Sequence, residues 1–174
     1  MRLYSGRFAL IASELVKALI DSELLDIEPE KIEEAEKDVI GVLREYQRMD
    51  RELSQRARDM TVGEGRGAEL RSKRRLAKDK NFRIGDDSLE YIVEQMIEVF
   101  LASPSIEEIY GDDRELRSKI TPVVKKHTAS QDDEVDVEVR SKIKNLQEGS
   151  TAWEVEYERA LNRVKRNRGL EAEE

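Results

Sequence analysis

Apolar residues recur through this chain at the spacing of a helix face, and that rhythm limits what it can fold into. Near the start they fall at Phe8, Ile11, Ala12, Leu15, Val16 and Leu19, the i, i+3, i+4 pattern of an amphipathic helix. The rhythm returns at Ile32, Ala35, Val39, Val42, Leu43, Tyr46 and Met49, and again at Leu116, Ile120, Val123 and Val124. Period-two alternation appears only in the brief EVDVEVR run. The expected fold is all-α, a bundle of helical hairpins with no sheet. Charged residues make up 40% of the chain and aromatics 5%, a balance that can mean disorder. Because the apolar residues keep helical spacing, the charge is read instead as the solvated faces of long helices.

Local signals divide the rhythm into segments. Ser5 is placed to cap the first helix, and Leu24, Leu25 and Ile27 pack where it ends. Pro29 suits the first turn of a second helix, where its missing N–H has no partner to lose. Glu30, Glu33 and Glu34 favour the same end through the helix dipole. RELSQRARDM reads as a third helix, and a short basic helix follows from Ala68 to Lys78. Gly85 breaks the chain, and Asp86 or Asp87 caps SLEYIVEQMIEVFLA, which is apolar nearly all round and expected at the centre. Pro104 opens a helical turn containing Ile106, Ile109 and Tyr110, and Asp112 caps the next helix, which Pro122 should kink. Asp132 or Asp133 begins another, stopped by Gly149. Thr151 and Glu154 form a capping box for the last helix.

The segments repeat. ELSQRAR at 52–58 answers EVDVEVR at 134–140, VLREY at 42–46 answers VVKKH at 123–127, and Val16, Leu19 and Ile20 answer Val93, Met96 and Ile97. The expected organisation is a helical repeat over 1–60, a glycine-containing basic linker with a short helix over 61–85, a second repeat over 86–148, and a C-terminal helix with a frayed tail over 149–174. Duplicated hairpins of this kind pack through their apolar faces into one bundle.

MRLYSGRFALIASELVKALI, GDDSLEYIVEQMIEVF, IYGDDRELRSKI and LQEGSTAWEVEYERAL together resemble the bacterial domain-of-unknown-function 507 family, and in particular its longer, internally duplicated members. The likeness spans nearly the whole chain. It implies an all-helical bacterial protein and brings with it no activity, cofactor or functional residue.

Catalytic patterns are scarce. His127 is the sole histidine and cysteine is absent, which leaves no His- or Cys-based metal site, disulfide or thiolate nucleophile. His127 aligns with Tyr46 in the repeat, which favours a packing role. The paired acids Asp112–Asp113 and Asp132–Asp133–Glu134 sit where helices start, and capping explains them better than metal binding. VGEGRGAELRSKRRLAK, at 62–78, tests as a phosphate loop and fails: no Gly-Lys pair follows the glycines, and a helix rather than a strand precedes them. A hinge between the halves is the better reading. No cofactor is expected.

What remains is charge. The chain carries a net −8, which argues against a general nucleic-acid coat. Two basic patches stand out against that background: Arg71, Lys73, Arg74, Arg75 and Lys78, and then Arg159, Arg163, Lys165, Arg166 and Arg168. Acids dominate 21–38, opposed only by Lys31 and Lys37. The basic patches either dock on acidic helix faces of the same protein or meet an outside polyanion. The N-terminus lacks a signal-peptide pattern and no apolar run reaches the length of a membrane span. The expectation is a cytoplasmic, non-enzymatic helical protein that binds a protein partner or itself, the alternative being an RNA- or DNA-binding accessory protein acting through its basic helices.

Overall fold

A computed structural model describes residue 3, residues 5–143 and residues 151–167. Two long amphipathic helices form its frame: α2 (Ile32–Met60), of 29 residues, and α5 (Asp113–Lys142), of 30. At about 1.5 Å per residue each runs for roughly 43 to 45 Å. Two shorter helices, α1 (Phe8–Asp21) and α4 (Ser88–Ala102), each pack against both long ones. The apolar stripes of all four meet in one core, where Ile11, Leu15, Leu19, Leu43, Ile92, Met96, Phe100 and Ile120 are fully buried. The remaining helices cover the far ends of the frame. α3 (Arg66–Asp79) folds back along α2, burying Ala68 and Ala77, and α6 (Thr151–Asn167) lies along α5, where Val135, Val139 and Val164 form a second small cluster. The fold is predominantly all-α, and no helix among the described residues is long and apolar enough to cross a membrane.

The expectation of no sheet is corrected. β1 (Leu25–Asp26) pairs antiparallel with β2 (Glu108–Ile109), in the register Leu25 to Ile109 and Asp26 to Glu108. These are the links between α1 and α2 and between α4 and α5. Where they cross, each link supplies the hydrogen-bond partners that the other's backbone needs. Glu107 N–H donates to the Asp26 carbonyl at 2.9 Å and Tyr110 N–H to the Leu24 carbonyl at 3.0 Å. A ladder two residues long leaves no alternation to read, so periodicity could not reveal it. The same crossing explains why the segment after Pro104 is extended rather than a helical turn.

Three further boundaries differ. The second and third expected helices are one, because Met49, Leu53 and Ala57 continue the stripe of α2 without a cap or breaker between them. α5 likewise continues through Pro122 and past Asp132–Asp133, where a new helix start was expected. Ser5 belongs to a 3-10 turn at Ser5–Arg7, and its side chain does not cap α1. Asp112 does cap α5: its carboxylate accepts from Glu115 N–H at 2.8 Å, while the Glu115 carboxylate accepts from Asp112 N–H at 2.9 Å. Gly149 and the side chains of Thr151 and Glu154 lie outside the described residues.

Two glycines make opposite demands. Gly41 sits in the middle of α2 with nothing within 4 Å of where a Cβ would stand. Gly111 sits beside the strand crossing, where a Cβ would lie 2.9 Å from Leu24 Cδ2 and 3.3 Å from Leu24 Cβ. Gly41→Ala should therefore raise stability by about 0.5–1 kcal/mol through helix propensity. Gly111→Ala should lower it by about 1 kcal/mol through crowding. Chemical denaturation of the two variants beside the parent checks both signs.

Candidate interaction surfaces

The glycine-rich stretch forms the turn that reverses the chain between α2 and α3. Gly63 and Gly65 have φ of +85° and +84°, values that a side-chain-bearing residue adopts only with strain, so the tight turn needs glycine at both points. α3 presents its basic residues unequally. Lys73 reaches Asp50 on α2 at 2.7 Å, and just beyond the helix Lys80 reaches Glu52 at 3.0 Å. At its start Arg66 lies 3.5 Å from Glu158 on α6. Arg71, Arg74, Arg75 and Lys78 are exposed and make no ion pair among the described residues. Arg71 and Arg75 flank a shallow concavity of about 320 Å³ at the α2–α3 turn, beside the half-exposed Met60. Part of this patch is thus docked internally, on acids of α2 rather than on the 21–38 segment, and part faces solvent.

The second basic patch is more dispersed. Arg159 pairs with Glu156 at 2.7 Å along α6, and Arg163 and Arg166 are exposed. The side chain of Lys165 and the whole of Arg168 lie outside the described residues. Among the described residues, the first patch lies on α3, against α2, and the second on α6, against α5.

A feature that sequence reading missed lies between α2 and α4. An open groove of about 630 Å³ runs between them, within the size range of ligand pockets. Its apolar wall is an aromatic cluster: the rings of Tyr46 and Phe82 stand 4.8 Å apart, and Phe82 meets Tyr91 edge-on at 5.2 Å. The Tyr46 hydroxyl donates to the Arg83 carbonyl at 3.1 Å, and burial pushes its pKa up to about 12. Burial also raises the Tyr91 hydroxyl, helped by the negative charges of Glu98 and Glu45. The rim carries Asp38, Glu45 and Glu98; Lys37 beside them is matched by Glu33 and Glu34 at 3.0 and 2.8 Å, and Glu45 is itself paired with Arg48 at 2.6 Å. Gly41 borders the groove, and its missing side chain keeps that wall low. A glycine inside an otherwise regular helical stripe was the one sequence signal that pointed here.

On the other side of the core, α1 and α5 are closed against each other by polar contacts. Glu14 on α1 accepts from Lys126 Nζ at 2.7 Å and from His127 Nε2 at 2.6 Å. His127 is buried and Glu14 half-buried, so the sole histidine bridges two helices. The bonds from Lys126 and then His127 hold the Glu14 carboxyl below its usual range. A carboxylate depressed in the folded state stabilises the fold above its unfolded pKa, about 4.3, and loses that contribution as pH falls through the lower folded value. The melting-temperature gap between the parent and Glu14→Gln should be full at neutral pH and narrow progressively as the solution is acidified below about pH 5. Thermal melts from neutral pH into the acid range measure it.

No curated protein matches the chain. Residues 1–170 match a family described as "Protein of unknown function (DUF507)", and with nearly its full length covered the chain belongs to that family.

Proposed function

We propose that this is a non-catalytic binding protein of the bacterial cytoplasm, built from a duplicated helical hairpin, that takes a protein partner in the α2/α4 groove. The duplication is supported by element order and by burial. α1, α2 and α3 have 14, 29 and 14 residues, and α4, α5 and α6 have 15, 30 and 17. One constant offset carries the buried Ile11, Ala12, Leu15, Val16 and Leu19 onto the buried Ile92, Val93, Met96, Ile97 and Phe100. The same offset carries Ala35, Val39, Leu43 and Tyr46 onto Leu116, Ile120, Val124 and His127, and one residue more carries Leu53 and Ala57 onto Val135 and Val139. In the first helix this register lies one turn from the alignment of Val16, Leu19 and Ile20 with Val93, Met96 and Ile97. It also makes α3 the counterpart of α6, so the halves join between α3 and α4, and the glycine turn belongs inside the first copy.

The observation that carries the binding reading is a difference between the copies at equivalent places. Where α1 meets α5, Glu14, Lys126 and His127 seal the helix pair. Where α2 meets α4, the equivalents of those residues, Gln95, Glu45 and Tyr46, border an open groove. Its low wall depends on a mid-helix glycine that costs the helix about 1 kcal/mol relative to alanine. A feature kept at the expense of stability points to use. Gly41→Leu should leave the fold at least as stable as the parent while filling the groove. Proteins captured by the purified parent from native cytoplasm after nuclease treatment should be lost on the Gly41→Leu variant. Undiminished capture by that variant removes the groove from the reading.

One observation favours a second reading, the binding of RNA or DNA: Arg71, Arg74, Arg75 and Lys78 share the exposed side of α3 without an ion pair among the described residues. Contacts to phosphate by such a patch weaken steeply with salt. Replacing all four with alanine should abolish low-salt binding to a mixed RNA and DNA pool in a filter-retention measurement. Absence of low-salt binding by the parent rules this reading out.

A further inference from the structure

The two copies differ in charge as well as in closure. Asp38 and Glu45 on α2 and Glu98 on α4 border the open groove, Glu45 being paired with Arg48 on its own helix, as Lys126 is with Glu14 on α1. Their equivalents under the proposed duplication are Lys119 and Lys126 on α5 and Lys17 on α1. All three signs are reversed, and all three lysines are exposed. Helix spacing keeps each trio together. Asp38 and Glu45 stand two turns apart on one helix face, as do Lys119 and Lys126, while Lys17 lies one turn along α1 from Glu14, which Lys126 touches. Lys17 and Lys119 make no ion pair among the described residues. Leu10 stands two turns before Lys17 on the same face of α1 and is 47% exposed, an apolar knob among the lysines. The groove offers the converse, an aromatic and aliphatic hollow rimmed by acids.

From this complementarity we infer that the protein self-associates head to tail, the basic α1/α5 face of one copy seating Leu10 in the acidic α2/α4 groove of the next. The inference rests on the groove reading above and names a second copy of this chain as the occupant. Such a contact uses two different surfaces, so each copy keeps one of each free. The product is a series of growing assemblies rather than a single closed dimer. Complementary charge aligns the faces and makes assembly sensitive to salt, while burial of Leu10 against Tyr91 and Val42 supplies the apolar contribution.

Light scattering coupled to size exclusion, over rising protein concentration, tests this with the purified full chain. The mean mass should climb with concentration at low salt and fall toward the monomer near molar salt. Glu45→Lys with Glu98→Lys, or Lys17→Glu with Lys119→Glu, should each weaken assembly by about tenfold or more at low salt. Mixing the two double variants should restore it, because every groove then meets a face of opposite sign. Gly41→Leu should block assembly without lowering stability. A parent that stays monomeric at high concentration and low salt overturns the inference. The groove reading survives that result if Gly41→Leu still loses captured partners. Assembly that persists in Gly41→Leu and in both double variants also overturns the inference, since it places the contact elsewhere.

Discussion

The length of the apolar stripes on α2 and α5 governs the whole arrangement. A stripe of roughly 43 Å is about twice what a 14-residue helix can cover at 1.5 Å per residue. Each long helix therefore needs short helices placed in succession along it. α1 and α4 share the first parts of both long helices, which produces the four-helix core, and α3 and α6 take the remaining lengths one each. The separate cluster of Val135, Val139 and Val164 follows from that division, because among the described residues it is α6 that covers the far end of α5. Even the two-stranded ladder follows. Sharing α1 and α4 between both long helices brings the two connecting links to one place, and their backbones pair there.

Much of this is legible in the sequence. The stripes named nearly every core residue, and Asp112 was identified as a cap from its position ahead of an apolar run. What failed has a common cause. The helix start expected at Asp132 or Asp133 relied on charge as punctuation, yet charge on the solvent face of a helix stops nothing while the stripe continues. Met49, Leu53 and Ala57 carry α2 straight through. The strand crossing depends on which links approach one another in space. No local pattern of two residues encodes that.

The candidate surfaces follow the same division. The basic run after the glycines was visible as composition, but which of its members are spent internally was not. Lys73 and Lys80 meet Asp50 and Glu52 only because α3 folds back on α2, a consequence of the turn at Gly63 and Gly65. The groove was less legible still. Tyr46, Phe82 and Tyr91 come from three separated parts of the chain, and nothing in their spacing announces that they share a wall. Gly41 alone hinted at it, as a helix position where a side chain would cost nothing and is nevertheless missing.

On the proposed duplication, the two copies have been held together in their cores and allowed to part at their surfaces. The buried positions tolerate Ile for Val or Met for Leu because volume and apolarity are what packing requires. The positions bordering the two inter-copy helix pairs are polar or lie at the edge of the core, and that limit binds them less. At the α1/α5 junction Glu14 of the first copy meets Lys126 and His127 of the second in a polar seal whose carboxylate is held ionised, while the α2/α4 junction is an aromatic hollow with acids at its edge. A seal of this kind stabilises the junction it occupies and leaves nothing to bind. An unsealed junction gives up that contribution and presents about 630 Å³ of shaped, partly apolar surface. In a protein with one histidine and no cysteine, shaped surface of opposite charge on opposite sides is the chemistry most available. On the proposed reading it acts through what it holds.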